Sequence, residues 1–325
     1  MKKILCMVLC IAMLASVLAL VGCGKTEYKF GLGVDASIGD VTDASDESNG
    51  TAGVTSNIAA VIVDADGKVV KCFLDCADYT AEYTLDGEAV ANTFETKRQR
   101  GNGYGMSKFT KEWFEQADIF EGLVIGKTVD EIKALMATDG KGTEEVKTAG
   151  CTIYVNGFVK SIEKAIAAAT VANVTADSVV SVGVATQQAV KNAAENEGVG
   201  SNKLTTNIFA AAKNADGVIE AAITEVVEVE FTFDENGAST FEKPAALLGK
   251  LEQGDDYGMK SEYGSAKEWY EHAAAFNAAT IGKKAGDVAS LMQTSGKNAG
   301  KGNDDLMAAG CTIYISGFVL AAAKA

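Results

Sequence analysis

The residues of this 325-residue chain best placed to do chemistry come as a matched pair. Ala149-Gly150-Cys151-Thr152-Ile153-Tyr154 returns unchanged as Ala309-Gly310-Cys311-Thr312-Ile313-Tyr314. Elsewhere the strand-like and helix-like faces drift between the two copies; these six letters do not. Gly150 and Gly310 remove a side chain, so something large can approach the backbone there. Cys151 and Cys311 are compact, and Thr152 and Thr312 each offer a hydroxyl. A helix begins just downstream, with Asn156 and Ser316 suited to cap it. Helix starts attract phosphate, so a threonine in this setting suits a covalent phosphodiester. A plainer reading of the same letters is a tight turn into a strand, built from residues chosen only for smallness.

Little else in the sequence carries chemistry. His272 is the one histidine, and Gln116 stands at the matching place in the first copy. That excludes a histidine-ligated metal site or a histidine-based triad, so no metal ligand and no catalytic residue is assigned, and His272 is expected on a solvated helix face. No phosphate loop with a Gly-Lys-Ser/Thr ending exists. Gly31-Leu32-Gly33 followed by Ala36 imitates a dinucleotide fingerprint, but it runs into Gly39 and an acidic stretch instead of a helix, and Ser181 replaces the first glycine in the second copy. Cys72 and Cys76 would face the same way from a strand, about 13 Å apart at strand rise. That is too far for a disulfide, so they are read as packing thiols.

These loops need a scaffold, and the scaffold is duplicated too. Tyr104-Gly105-Met106 returns as Tyr257-Gly258-Met259, Lys111-Glu112-Trp113 as Lys267-Glu268-Trp269, and Ile125-Gly126-Lys127 as Ile281-Gly282-Lys283. A period of roughly 150–160 residues means tandem whole domains, since solenoid repeats run about 20–50. Each copy reads as α+β. Residues 57–63 and 69–75 are β-branched runs joined by Asp64-Ala65-Asp66-Gly67, which is hairpin chemistry, and 80–85 forms a third strand. Helices are expected over 111–120, over 129–136, and from Asn156 through Ile166. The acidic stretch 35–49 and its counterpart 184–203 read as loops inside their domains. Trp113 and Trp269 are expected in the cores, and Tyr104 and Tyr257 are candidates to line a bound ring. The expected division is 28–170 for the first domain, 171–178 for a linker and 179–325 for the second domain.

The N-terminal segment reads as an export signal. Lys2 and Lys3 precede an apolar run through Val21, and Leu20-Val21-Gly22-Cys23 fits a lipobox. Residues 1–22 would be removed, Cys23 acylated, and 23–27 would tether the chain to the lipid bilayer. Losing the two lysines makes the net charge of −15 two units more negative. So acidic a surface argues against nucleic acid and against polybasic membrane docking. The cysteines left after processing form no paired framework of the kind small secreted domains use.

The repeated Gly-Cys-Thr element resembles the Ser/Thr-Gly-Ala-Thr signature of FMN-binding domains that carry flavin covalently on threonine through its phosphate. The likeness extends into Asn156-Gly157-Phe158-Val159-Lys160. With the lipobox and the tandem copies, the chain is similar to the two-flavin lipoproteins of Gram-positive extracellular electron transfer, of the peptide-pheromone-encoding lipoprotein A type. The resemblance implies two covalent FMN groups, on Thr152 and Thr312, with Gly150, Gly310, Cys151, Cys311, Tyr104 and Tyr257 around them. It also implies an exported flavin transferase, a membrane quinone-linked electron donor, extracellular acceptors and a lipid-anchored extracellular location. The sequence departs from that pattern at Cys151 and Cys311, where alanine is usual, and at Glu145 and Asp305, which lie seven positions upstream of the threonines instead of six. The rival expectation is a non-catalytic surface or solute-binding lipoprotein. The clipped signal segment could also act as a peptide pheromone in its own right.

Overall fold

The computed structural model describes residues 27–106 and 111–325. The expected signal segment, Cys23 and most of the tether lie outside the described residues. Among the described residues no helix is long and apolar enough to cross a membrane, and no group of three or more His, Cys, Asp or Glu side chains is gathered to hold a metal ion.

The chain is α+β. In the first copy, β1 (Lys29–Thr42), β2 (Gly50–Val63) and β3 (Val69–Tyr83) pair antiparallel in sequence order. Two short edge strands, β4 (Ala89–Val90) and β5 (Thr170–Val171), complete a sheet of order β4-β3-β2-β1-β5. The helices that follow are α1 (Lys97–Arg100), α2 (Trp113–Val124), α3 (Val129–Lys133), α4 (Glu144–Ala149) and α5 (Asn156–Ala168). The second copy builds β6 (Val179–Lys191), β7 (Val199–Lys213) and β8 (Ile219–Asp234). It then adds α6 (Lys250–Gln253), α7 (Trp269–Thr280), α8 (Asp304–Ala308) and α9 (Ser316–Ala322).

Three sequence expectations need correction. The stretch 35–49 is not one loop: β1 runs through it to Thr42, because Ile38 turns into the core while Ser37 and Asp40 face out, and only the residues after Thr42 turn back. In the same way β6 and β7 occupy most of 184–203. The separate strands expected at 69–75 and 80–85 are one continuous strand, β3, paired along its length with β2.

Both faces of each sheet are buried. One face of the first sheet (Leu32, Val34, Ile58, Ile62) meets one face of the second (Val182, Val184, Leu204, Ile208, Phe231) in a common core. The opposite faces carry the helices. Trp113, Phe120, Phe158 and Ile162 pack on Ala59, Val61 and Leu74, and Trp269, Phe276 and Phe318 pack on Phe209, Ala211 and Val226. Each such large side chain contributes about 1.5–3 kcal/mol on burial. The layers are helix, sheet, sheet, helix. The copies touch reciprocally as well: Ala193 N–H donates to Gly87 O and Ala44 N–H to Gly237 O, both at 2.8 Å.

The Gly31-Leu32-Gly33 run is a packing feature. Gly31 and Gly33 lie in β1 beneath α5, where a Cβ would run into the backbone of Ala165 and Ser161. Gly183 plays the same part beneath Ala321 in α9. These glycines let a helix settle on a strand.

Candidate functional site

The repeated loop is a helix stop. α4 ends where Gly150 takes φ 107°, and its N–H and that of Cys151 return to Lys147 O and Val146 O at 3.0 and 3.1 Å. In the second copy Gly310 has φ 105°, with Gly310 and Cys311 N–H bonded to Met307 O and Leu306 O at the same distances. A left-handed residue closing a helix in this way is most easily glycine. The space above each glycine is also taken: a Cβ on Gly150 would press on Lys111 and Ile119, and one on Gly310 would run into the Lys267 ammonium. A close-approach role was expected of these glycines, and in the structure the close neighbour is a lysine.

Past the stop, side chains alternate. Cys151 and Cys311 are fully buried, and burial pushes both thiols up to about 11, so they stay neutral and pack in the helix-side cores. Thr152 and Thr312 face out. Two residues on, Tyr154 and Tyr314 are 64% and 65% exposed, with Lys141 and Lys301 ammoniums 5.0 and 5.2 Å from their ring centres. Each copy therefore exposes a threonine and, two residues on, a tyrosine whose ring carries a lysine cation.

Asn156 and Ser316 do not cap the following helices, contrary to expectation. They are the first helical residues; Val155 and Ile315 hold the cap positions, with no side-chain bond. The N–H groups of Val155 and Asn156 donate to Gly140 O at 2.9 and 3.1 Å, and Ile315 N–H to Gly300 O at 2.8 Å. Donors expected to face an anion are thus partly used inside the protein. Positive charge near the threonines comes from lysine side chains.

One partner of the loop escaped the sequence reading. Gln116, on α2 and fully buried, accepts from both the N–H and the hydroxyl of Thr152 at its Oε1, at 2.8 and 3.0 Å. Its Nε2 donates to Lys111 O at 2.9 Å. The matching residue is His272. It is not on a solvated face; it is 3% exposed, and its Nδ1 lies 2.8 Å from Gly310 O and 3.3 Å from Thr312 N. Burial lowers its pKa, the Gly310 contact opposing and Lys267 assisting.

In the first copy Thr152 borders a cavity of about 460 Å³, within the roughly 300–1,000 Å³ of small-molecule pockets. Tyr104, Trp113, Tyr154 and Phe158 supply its aromatic walls, and Asn57, Asp78, Lys97 and Lys141 its polar groups. Trp113 does both jobs, packing at 5.7 Å from Phe158 and lining the cavity. Lys97 pairs with Asp78 at 3.0 Å and stands 5.5 Å from the Tyr104 ring centre. In the second copy Lys250 pairs with Glu228 at 3.2 Å and stands 4.8 Å from Tyr257. Short helices α1 and α6 position these lysines, held by buried carboxylates that accept backbone N–H groups: Asp75 from Arg98, and Glu225 from Leu251 and Glu252.

The joint repetition of the Tyr-Gly-Met and Lys-Glu-Trp blocks has a cause as well. Glu112 caps α2 and accepts the Met106 N–H at 3.0 Å; Glu268 caps α7 and accepts the Met259 N–H at 2.8 Å. Each glutamate pins its tyrosine-bearing turn to its tryptophan helix. Tyr154, Lys141 and their counterparts were readable from the repeat, since both tyrosines lie within the invariant six letters and Gly140-Lys141-Gly142 returns as Gly300-Lys301-Gly302.

No family model matches the chain, and no solved structure matches it. Over 120 residues it is 32% identical to the chlorophenol reductase of Desulfitobacterium hafniense, a stretch covering 32% of this chain and 36% of that protein. The chain thus spans about a third of the length of this curated relative. Its similarity is to part of a protein named for a reduction.

Proposed function

We propose that this protein is an electron carrier with FMN joined through its phosphate to Thr152 and Thr312. The observation that carries the reading is the exposed threonine at an aromatic-walled cavity, on a loop that recurs in the second copy with the same tyrosine and lysine residues. The likeness to a reductase agrees with a redox role.

The residues fit such a group. Thr152 and Thr312 supply ester oxygens at helix stops that open outward. Tyr154 and Tyr104 offer ring faces, with Tyr314 and Tyr257 as their counterparts, and aromatic faces favour stacking on a flat ring system. Lys141 and Lys97, like Lys301 and Lys250, place positive charge near a group whose phosphate is anionic. Gly150 and Gly310 keep the loops tight, and Cys151 and Cys311 anchor them from inside. When bound, the isoalloxazine would supply the redox chemistry; the protein supplies attachment, position and charge.

Attachment is the work of a separate exported transferase using FAD. The threonine oxygen forms a bond to the FMN-side phosphorus, the pyrophosphate bond breaks, AMP leaves, and the hydroxyl proton passes to the transferase or solvent. Anchored through Cys23 on the outer face of the cell membrane, the carrier would take electrons from a quinone-linked donor and pass them to extracellular acceptors. A covalent bond suits an exposed carrier, which would otherwise lose a dissociable cofactor to the medium.

Intact mass and visible absorption of protein from its host test this. The native chain should show a flavin band that survives denaturation and the mass of two FMN phosphoesters. Thr152→Ala and Thr312→Ala should each remove one, and the double variant both. A colourless chain carrying only its amino acids and lipid would overturn the carrier reading and leave a duplicated surface module.

A further inference from the structure

The copies agree at the threonine and differ at the residue that holds it. Gln116 meets the first loop with two atoms of different character. Its Oε1 takes the Thr152 N–H and hydroxyl together, and its Nε2 gives a hydrogen bond to Lys111 O. All of these form at once. His272 offers the second loop one nitrogen for two groups. The 2.8 Å contact with Gly310 O requires a proton on Nδ1, while the 3.3 Å contact with the Thr312 N–H requires that nitrogen bare. Only one can form at a time. Among the described residues the other ring nitrogen, Nε2, is buried with no hydrogen-bond partner. The imidazole therefore reaches Thr312 only through its backbone, and only in one tautomer.

We propose that Gln116 is a positioning residue that readies the Thr152 hydroxyl for flavin attachment, and that His272 leaves Thr312 the slower acceptor, so the two sites fill in order. This rests on the flavin reading above. With its proton directed at Gln116 Oε1, the Thr152 oxygen keeps its lone pairs for the phosphorus. The bond that forms is Oγ1–P, the bond that breaks is the pyrophosphate of FAD, AMP leaves, and the hydroxyl proton leaves its hydrogen bond with Gln116 Oε1 for a base of the transferase as the Oγ1–P bond forms. A threonine side chain has three staggered wells. Holding one of them in advance is worth up to about threefold in rate, because the reacting geometry is then prepared before the encounter.

The test uses the full chain, FAD and a flavin transferase, with limited reaction times and peptide masses read separately for Thr152 and Thr312. In the native chain Thr152 should gain the FMN phosphoester about threefold faster. His272→Gln should raise the Thr312 rate toward that of Thr152, a gain that mere damage to packing does not produce. The double exchange of Gln116→His with His272→Gln should invert the order. Thermal melting of each variant identifies any that fail to fold, and the single His272→Gln result stands if the double exchange is one of them. Equal rates in the native chain, or an order indifferent to the exchange, overturns the inference alone. If neither threonine is labelled, the flavin reading falls and the inference with it.

Discussion

The ring of Tyr83 lies flat on that of Phe233, centroids 4.5 Å apart and planes within 4° of parallel. The two residues hold the same place in their respective copies, and each covers a glycine of its own sheet: a Cβ on Gly50 would run into Tyr83, and one on Gly200 into Phe233. Like meets like at the seam. Phe233→Ala should cost about 3–5 kcal/mol, the range for emptying a buried aromatic site. Because the sheets share one core, calorimetry should still record a single unfolding transition. Two separated transitions would contradict a shared core.

Helix-on-strand contact makes a second expectation. Gly33 lies where a Cβ would meet the Ser161 carbonyl, so Gly33→Ala should destabilise the chain by about 1–3 kcal/mol through overpacking. Denaturant midpoints would record that loss. Any flavin carried as proposed should stay unchanged per folded chain, since the glycine serves packing and lies outside the threonine loop. A normal midpoint with lost flavin would reverse that assignment.

Acidity is the third lever. Burial pushes the Glu225 carboxyl up from 4.5 to about 7, although the N–H groups of Leu251, Val226 and Glu252 favour its charged form. Glu121 is likewise raised by burial to about 7, against the pull of Arg98. Between about 4.5 and 7 the folded chain holds protons that the unfolded chain has released. That contribution is full below the ordinary carboxyl value and is lost as pH rises through about 7. Stability should therefore decline over this window by up to about 3 kcal/mol for Glu225, and Glu225→Gln should flatten part of the slope. Denaturation midpoints that rise with pH across the window would contradict the assignment.

The glycine stops give a fourth. At φ 105° an alanine at position 310 is strained and must also displace Lys267, so Gly310→Ala should cost about 1–3 kcal/mol. If the threonines carry flavin as proposed, peptide masses should show it lost from Thr312 and retained on Thr152, and Gly150→Ala should do the reverse. Unchanged loading at both threonines would mean that the loop's shape is irrelevant to attachment.

Much of the scaffold was legible in the letters. Asp64-Ala65-Asp66-Gly67 marked the β2–β3 hairpin, and the 150–160-residue period marked the duplication. What stayed hidden depends on partners far along the chain. β1 looked like a loop past Val34 because Asp35, Ser37 and Asp40 dominate its composition, and only pairing with β2 makes it a strand. Asn156 and Ser316 have good capping chemistry but fall one residue inside their helices, where Gly140 O and Gly300 O already serve the cap. His272 sits among charged and small residues that read as solvated, yet a loop 38 positions downstream covers it. No local pattern reports such a cover.

The reciprocal bonds from Ala193 to Gly87 and from Ala44 to Gly237, with Tyr83 on Phe233 between them, are the arrangement found where two identical subunits meet about a twofold axis. Here both partners are on one chain, joined through 172–178, so the pairing is intramolecular and independent of protein concentration. At any dilution the chain keeps its two halves together without having to find a mate. Its halves are also free to diverge at single positions, as a symmetric homodimer is not, and the Gln116 and His272 pair records one such divergence.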